Sequence, residues 1–263
     1  MHDDAPYLKE EHAVVTGGGR GIGAAIADEL ARHGASITLM GRTRATIDAE
    51  AARIASVYRT PVAAVVCDVT DPASVDAAFT EARQTFGDPY VLVNNAGMGD
   101  AARLTKTSAE LWHRTIAVNL TGPFLCIQHV LPAMIEVRGG RIINIASTAG
   151  LKGYSKLGAY CASKHGLVGL TRSLALEVAK LGITVNAICP GYTETNLAQL
   201  AVDNMVGALN MTPDEARSTI VSRIPRGAIT QPREVASLVG WLCAPDAKAV
   251  TGQALAVDGG ELA

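Results

Sequence analysis

The sequence predicts an α/β protein built on a seven-stranded parallel sheet with helices on both faces. Two observations carry that expectation. Short β-branched runs alternate with helical periods along the whole chain, the pattern of a doubly wound sheet. The first of those runs also ends in a glycine cluster, TGGGRGIG at residues 16–23, that opens an amphipathic helix.

Each element has its own signal. The strands are expected at 13–16 (AVVT), 36–40 (SITLM), 62–67 (VAAVVC), 90–94 (YVLVN), 141–145 (RIINI), 184–189 (TVNAIC) and 254–257 (ALAV). Between the first two, residues 21–33 repeat Ile22, Ile26 and Leu30 every four positions, and residues 74–86 place Val75, Ala78, Phe79 and Ala82 on one side. The helical stretch 109–135 contains Pro123 and Pro132, so a bend or an early stop is expected there. A further helix beginning near Ala159 has the period Leu167, Leu170, Leu174, Val178. Leu197, Leu200, Ala201, Met205 and Leu209 fall at helical spacing in the insert 195–211. No repeat, low-complexity tract or linker interrupts the pattern, so residues 1–263 are expected to form one domain, with a substrate lid at about 195–211.

Composition bounds the function. With 48% hydrophobic and 18% charged residues and a net charge of -2, the chain can bury a large core and offers no basic field for nucleic acid. No apolar run approaches the roughly 18 residues of a membrane span. The start, MHDDAPYLKEE, lacks the basic-then-apolar order of a signal peptide, so a cytoplasmic protein without a membrane is expected. Cys67, Cys126, Cys161, Cys189 and Cys243 are scattered singly and read as reduced, mostly buried side chains. With His113, His129 and His165 also isolated on helices, no metal site is expected.

The chemistry concentrates in residues 140–170. The run of Ile142, Ile143 and Ile145 ends in Ser147, which places that hydroxyl at the carboxyl edge of a strand, where open α/β sheets bind ligands. Tyr160 and Lys164 lie four apart on the following helix, so their side chains meet. A phenol of ordinary pKa about 10 is a poor acid-base catalyst at neutral pH, and an adjacent ammonium would lower it. The alternative is a surface tyrosine and lysine on an amphipathic helix.

The glycine turn follows a strand and opens a helix, the context in which a Rossmann-type loop lets its backbone approach a pyrophosphate at the helix N-terminus. After the second strand, where a carboxylate would bind the ribose hydroxyls of NAD, the sequence reads Gly41-Arg42-Thr43. Arg42, with Arg20 in the glycine loop, suits a 2′-phosphate, which favours NADP with NAD as the alternative.

Together these motifs resemble the short-chain dehydrogenase/reductase family over essentially the whole chain. They are the T-G-x-x-x-G-x-G loop at 16–23, Asp68 after the third strand, N-N-A-G at 94–97, Asn119, the Ser147/Tyr160/Lys164 set, and Pro190-Gly191 with Thr193. The resemblance implies that Tyr160 is the general acid-base, that Ser147 donates to the substrate oxygen, and that Lys164 binds the nicotinamide ribose and lowers the tyrosine pKa. It implies that Asn119 holds a water of the proton relay. It further implies cofactor contacts from Thr16, Gly17, Gly19, Arg20, Gly21, Ile22 and Gly23 in the loop, from Arg42 and Thr43, and from Asp68 and Val69 at the adenine. Asn95, Ala96 and Gly97 would pack beside the ribose, and Pro190, Gly191 and Thr193 would face the carboxamide. A homotetramer is implied as well.

Residues 141–153, the Ser-Lys-His-Gly at 163–166 and residues 182–195 look most like ketoreductases of aromatic polyketide synthesis and 3-oxoacyl thioester reductases, with acyl-CoA dehydrogenases close to the same pattern. The leading expectation is an NADP-dependent oxidoreductase acting on a 3-oxoacyl or 3-hydroxyacyl thioester. A dehydrogenase of a free ketone, sugar or cyclic alcohol is the rival, and a dinucleotide-binding protein without turnover is a third reading. Substrate contacts are expected in 97–104, 150–157 and above all 195–211, with Arg103, Lys106 and Arg223 either meeting a phosphate arm or simply solvated.

Overall fold

The computed structural model describes residues 6–209 and 211–263. Seven strands, β1 (His12–Thr16), β2 (Ser36–Gly41), β3 (Val62–Val66), β4 (Val91–Asn94), β5 (Gly140–Ile145), β6 (Ile183–Pro190) and β7 (Ala254–Val257), form one sheet in the order β3-β2-β1-β4-β5-β6-β7. Every pairing is parallel.

Both faces of the sheet are covered, which is why its strands read as near-continuous apolar runs. Alternate residues feed two cores. Ala13, Val15, Ile37, Leu39, Val91 and Val93 face α1 (Gly21–Arg32), α2 (Arg44–Tyr58) and α9 (Pro232–Cys243). Val14, Met40, Val65, Leu92, Ile142 and Val185 face α3 (Pro72–Phe86), α5 (Gly122–Val137) and α6 (Gly158–Val178). Helices α7 (Asn196–Leu209) and α8 (Pro213–Val221) stand apart over a small cluster of Val202, Ala216, Ile220, Ile224 and Ile229.

The expected break near Pro123 takes a specific form. Helix α4 (Ala109–Ile116) runs through a π turn, Ala117–Thr121, into α5, and Pro132 lies inside α5 without ending it. Pro123 has no N–H for the Asn119 carbonyl four residues back, and the wider π register sits at that point. By length and composition Ala109–Val137, with mean hydropathy 1.3, could cross a membrane, which a search for one uninterrupted apolar run does not reveal. Cys126, Ile127, Val130 and Met134 of this stretch are instead buried against the sheet.

Of the other singled-out residues, the five cysteines are free, and all but Cys161 are buried. His113 and His165 are exposed, and His129 stacks on Phe79 with ring centroids 5.4 Å apart.

Candidate active site

The strand order reverses between β1 and β4, and the loops leaving their carboxyl ends part there to open a cleft of about 1390 Å³. On one side of it lie Gly17, Gly19, Arg20, Gly21, Ile22, Arg42, Thr43, Asp68 and Val69. On the other lie Ser147, Tyr160 and Lys164, with Asn95, Ala96, Gly97, Pro190, Gly191 and Thr193 between.

Thr16 and Gly23 brace the site rather than line it. The Thr16 hydroxyl accepts the backbone N–H of Asn95 (3.0 Å) and Ala96 (3.1 Å), and the Asn95 amide donates to the carbonyls of Thr16 (2.9 Å) and Gly17 (3.1 Å). These bonds lock the first loop to the fourth. A Cβ on Gly23 would stand 2.3 Å from the Gly17 oxygen, so the close approach of α1 to the loop excludes any side chain.

The dinucleotide side fits an anion. Arg20 caps α1 without a side-chain hydrogen bond, and its first turn carries no acidic residue, so the dipole and amide groups of the helix end at the cleft uncompensated. Arg20 and Arg42 are exposed, and their side chains make no hydrogen bond or ion pair among the described residues. Burial pushes the Asp68 carboxyl up, but the N–H and O–H of Thr70 and the charge of Arg42 outweigh it and hold the group below its usual range. Gly41 has a packing reason as well as an electrostatic one, because a Cβ there would meet Ile47 Cγ2 at 2.9 Å.

A buried polar chain sets the reacting side. Asn94 on β4 donates to Asn144 on β5 (2.9 Å), which donates to Thr171 on α6 (2.9 Å), so the helix carrying Tyr160 and Lys164 is fixed to the sheet by directed bonds. Lys164 is 4% exposed, and its ammonium donates to the Ile145 carbonyl at 2.8 Å. Its nitrogen is 5.7 Å from the centroid of the Tyr160 ring. Asn119, fully buried in the π turn, accepts from Met98 N–H (2.9 Å) and donates to the Met98 carbonyl (2.8 Å) and to Ser163 (3.1 Å). It therefore sits behind the cleft and holds the loop after β4 against α6.

One expectation needs correcting. Tyr160 is not lowered by its lysine in this structure: burial raises its pKa, and the Ser147 hydroxyl pulls the other way. The same burial depresses Lys164 to about 8. Desolvation disfavours the charged form of each group and is the largest cause of both shifts.

On the substrate side, Met98, Ala101, Leu157, Tyr192, Ala198 and Met205 line the cleft. Leu200 and Arg223 also face it, whereas Arg103 and Lys106 are exposed away from it. The side chains of Leu197, Ala201 and Leu209 lie outside the described residues. Tyr154 lies in the expected substrate segment 150–157 and Thr148 in the segment 141–153, but sequence reasoning missed Glu261 and the contact that joins the three through the folded C-terminal turn.

The comparisons follow the same line. A family model described as enoyl-(acyl carrier protein) reductase matches residues 17–261. A Streptomyces violaceoruber protein described as ketoacyl reductase 1 of the granaticin polyketide synthase is 44% identical over 250 residues, 94% of this chain and 92% of that one. The 3-oxoacyl-[acyl-carrier-protein] reductase FabG of Escherichia coli is 37% identical over 248 residues, 94% of this chain and 96% of its own. Among solved structures, a tryptophan-substituted actinorhodin polyketide ketoreductase with NADPH superposes with a TM-score of 0.93 at 38% identity, covering 95% of this chain and 97% of that one. With the glycine loop, the N-N-A-G segment and the Ser147/Tyr160/Lys164 set gathered in one cleft, the chain belongs to the short-chain dehydrogenase/reductase family.

Proposed function

We propose that this protein is an NADP-dependent carbonyl reductase whose substrate is a 3-oxoacyl thioester on coenzyme A or a carrier protein, or the matching alcohol in reverse. The observation that carries the reading is the convergence of Ser147, Tyr160 and Lys164 on the cleft opposite a helix N-terminus without a side-chain cap and two arginines whose side chains have no partner among the described residues. The glycine loop and α1 would hold the pyrophosphate, Arg20 and Arg42 the 2′-phosphate, Asp68 and Val69 the adenine, and Pro190, Gly191 and Thr193 the carboxamide. The nicotinamide, when bound, supplies the hydride.

The protein's own residues manage the oxygen. Tyr160 gives its proton to the carbonyl oxygen as negative charge develops there, and Ser147 donates a second hydrogen bond to the same atom. Such a donor is worth about 2.7–4 kcal/mol in comparable oxyanion sites. Lys164 holds the nicotinamide ribose and hands the proton on, and Asn119 orders the loop and π turn behind it. The raised pKa of Tyr160 keeps the phenol protonated and ready to donate in the reducing direction.

The relatives' names support the thioester class: the granaticin protein is named for ketoacyl reduction and the Escherichia coli protein for 3-oxoacyl carrier-protein reduction. Helix α7 with its flanks serves as the lid. Five unpaired cysteines suit a reducing compartment such as the cytoplasm. The test is NADPH consumption over a panel of free ketones, 3-oxoacyl thioesters and, as a control on the family model's description, an enoyl thioester. Turnover of the 3-oxoacyl thioesters is expected; turnover of none of the panel overturns the reading.

A further inference from the structure

The C-terminal turn reaches back to the cleft. Asp258 is buried, and its carboxylate accepts the backbone N–H groups of Gly260 and Leu262, each at 2.9 Å. That folds the chain after β7 under the Pro190–Gly191 turn: a methyl group placed on Gly191 would lie 3.0 Å from Asp258 Cβ and 3.2 Å from Glu261 Oε2. The Glu261 side chain is 5% exposed. Its Oε1 accepts the Tyr154 hydroxyl at 2.6 Å and stands 3.2 Å from Lys152 Nζ. The Tyr154 oxygen is also 2.7 Å from Thr148 Oγ1.

A phenol has one proton and a carboxylate only accepts, so the direction of the chain is fixed: Thr148 donates to Tyr154, and Tyr154 donates to Glu261. Lys152 reinforces it, with Nζ 5.0 Å from the Tyr154 ring centroid as well as beside the carboxylate. Thr148 directly follows Ser147, and both Thr148 and Tyr154 line the cleft. A carboxylate is an expensive group to bury, and Glu261 Oε2 has no hydrogen-bond partner among the described residues. An apolar side chain would fill that corner at less cost but would give the tyrosine no direction. The expense is explained if the direction matters.

We infer that Glu261 is a positioning residue of this cleft: it fixes Tyr154 and, through Thr148, the turn after Ser147, so that the C-terminal tail sets the wall against which the substrate lies. The inference rests on the carbonyl-reductase reading above.

The experiment compares Glu261→Ala, Glu261→Gln, Tyr154→Phe and the Tyr154→Phe/Glu261→Ala double variant of the full chain. Each is measured with NADPH and a ketone or 3-oxoacyl thioester that the wild type reduces. Glu261→Ala is expected to lower kcat/KM about tenfold, mostly through KM, while the Kd for NADPH by fluorescence stays within about twofold. Tyr154→Phe should do the same, and the double variant should be no worse than either single change, because all three break one chain. Glu261→Gln keeps an accepting oxygen and should stay within about twofold of wild type. Wild-type kinetics in Glu261→Ala, losses that multiply in the double variant, or a Glu261→Gln as impaired as the alanine at equal melting temperature would each overturn the inference. A wild type that consumes no NADPH with any carbonyl overturns the functional reading first and the inference with it.

Discussion

Lys164 shows how one residue carries two demands in conflict. The proposed reaction wants a cation beside Tyr160, and the fold places that cation at 4% exposure with a single carbonyl partner. Burial pulls it to about 8 from an ordinary value above 10. Below pH 8 both the folded and unfolded chains carry the charge, and the full cost of burying it, about 3 kcal/mol, weighs on the fold. As pH rises from 8 toward the unfolded value, the folded protein releases the proton first and the cost fades. Lys164→Met is therefore expected to show less gain of stability over that window than the wild type, read by denaturant unfolding at a series of pH values, and to lose turnover and ribose binding. Parallel stability curves would show that burial does not lower the Lys164 pKa and that the folded protein keeps this charge through the window. Tyr160→Phe removes one hydroxyl and little volume; kcat should fall by about 10²–10⁴ with the NADPH Kd nearly unchanged, and a variant that keeps a tenth of the rate takes Tyr160 out of the acid-base role. Cofactor choice turns on Arg42, exposed at the end of β2. Arg42→Val alone, and with Gly41→Asp, should move the NADP-to-NAD ratio of kcat/KM toward NAD by about 2–4 kcal/mol for the pair. The Ile47 methyl, 2.9 Å from where the new Cβ would stand, must shift to admit the aspartate, so the single variant is the cleaner reading. A wild type that already prefers NAD would mean that Arg42 points into solvent.

Among the elements, α7 and α8 differ from the rest in what they pack on. Helices α1, α3, α5, α6 and α9 bury apolar faces on the sheet, whereas α7 and α8 share a satellite cluster of Val202, Ala216, Ile220, Ile224 and Ile229 with Tyr192 and Met205 at its edge. Few buried contacts mean a low free energy of local opening. Hydrogen exchange over 195–221 should be fast in the free protein and slow with NADPH plus a ketone ligand, and full protection in the free protein would make these helices a fixed wall rather than a lid. The π turn makes the opposite case. Asn119 spends its amide on Met98 and Ser163, joining three segments, so Asn119→Ala should cost about 1–3 kcal/mol of stability besides its effect on turnover. An unchanged melting temperature would show that those bonds are replaced by water.

At the scale of the molecule, the described surface leaves Leu104, Trp112, Phe124, Val137, Leu176 and Trp241 exposed. Large apolar side chains on α4, α5, α6 and α9 are what an assembly would cover, and light scattering of a homotetramer would give four times the 27.3 kDa chain mass. A monomer in solution at micromolar concentration would overturn the homotetramer that the family resemblance implies.

How much of this was legible beforehand follows from which interactions are local. The seven strands, the glycine loop and the Tyr160–Lys164 pair are written in short periods and fixed spacings, and the observed bounds of each strand depart from the expected ones by at most one residue at either end. Period and spacing are properties of the chain alone, so the sequence by itself determined the fold class, the strands and the side chains that gather at their carboxyl ends. What it did not determine depends on distance through space. The balance of burial against charge at Tyr160 and Lys164 needs the surroundings of each group, and it reversed the expected direction of the tyrosine shift. The packing of Ile47 on Gly41 joins a strand end to the helix after it, and the Thr148–Tyr154–Glu261 chain joins residues more than a hundred positions apart. Only the tertiary structure brings those groups within reach, because no local pattern encodes a contact between two turns that the sheet alone holds together.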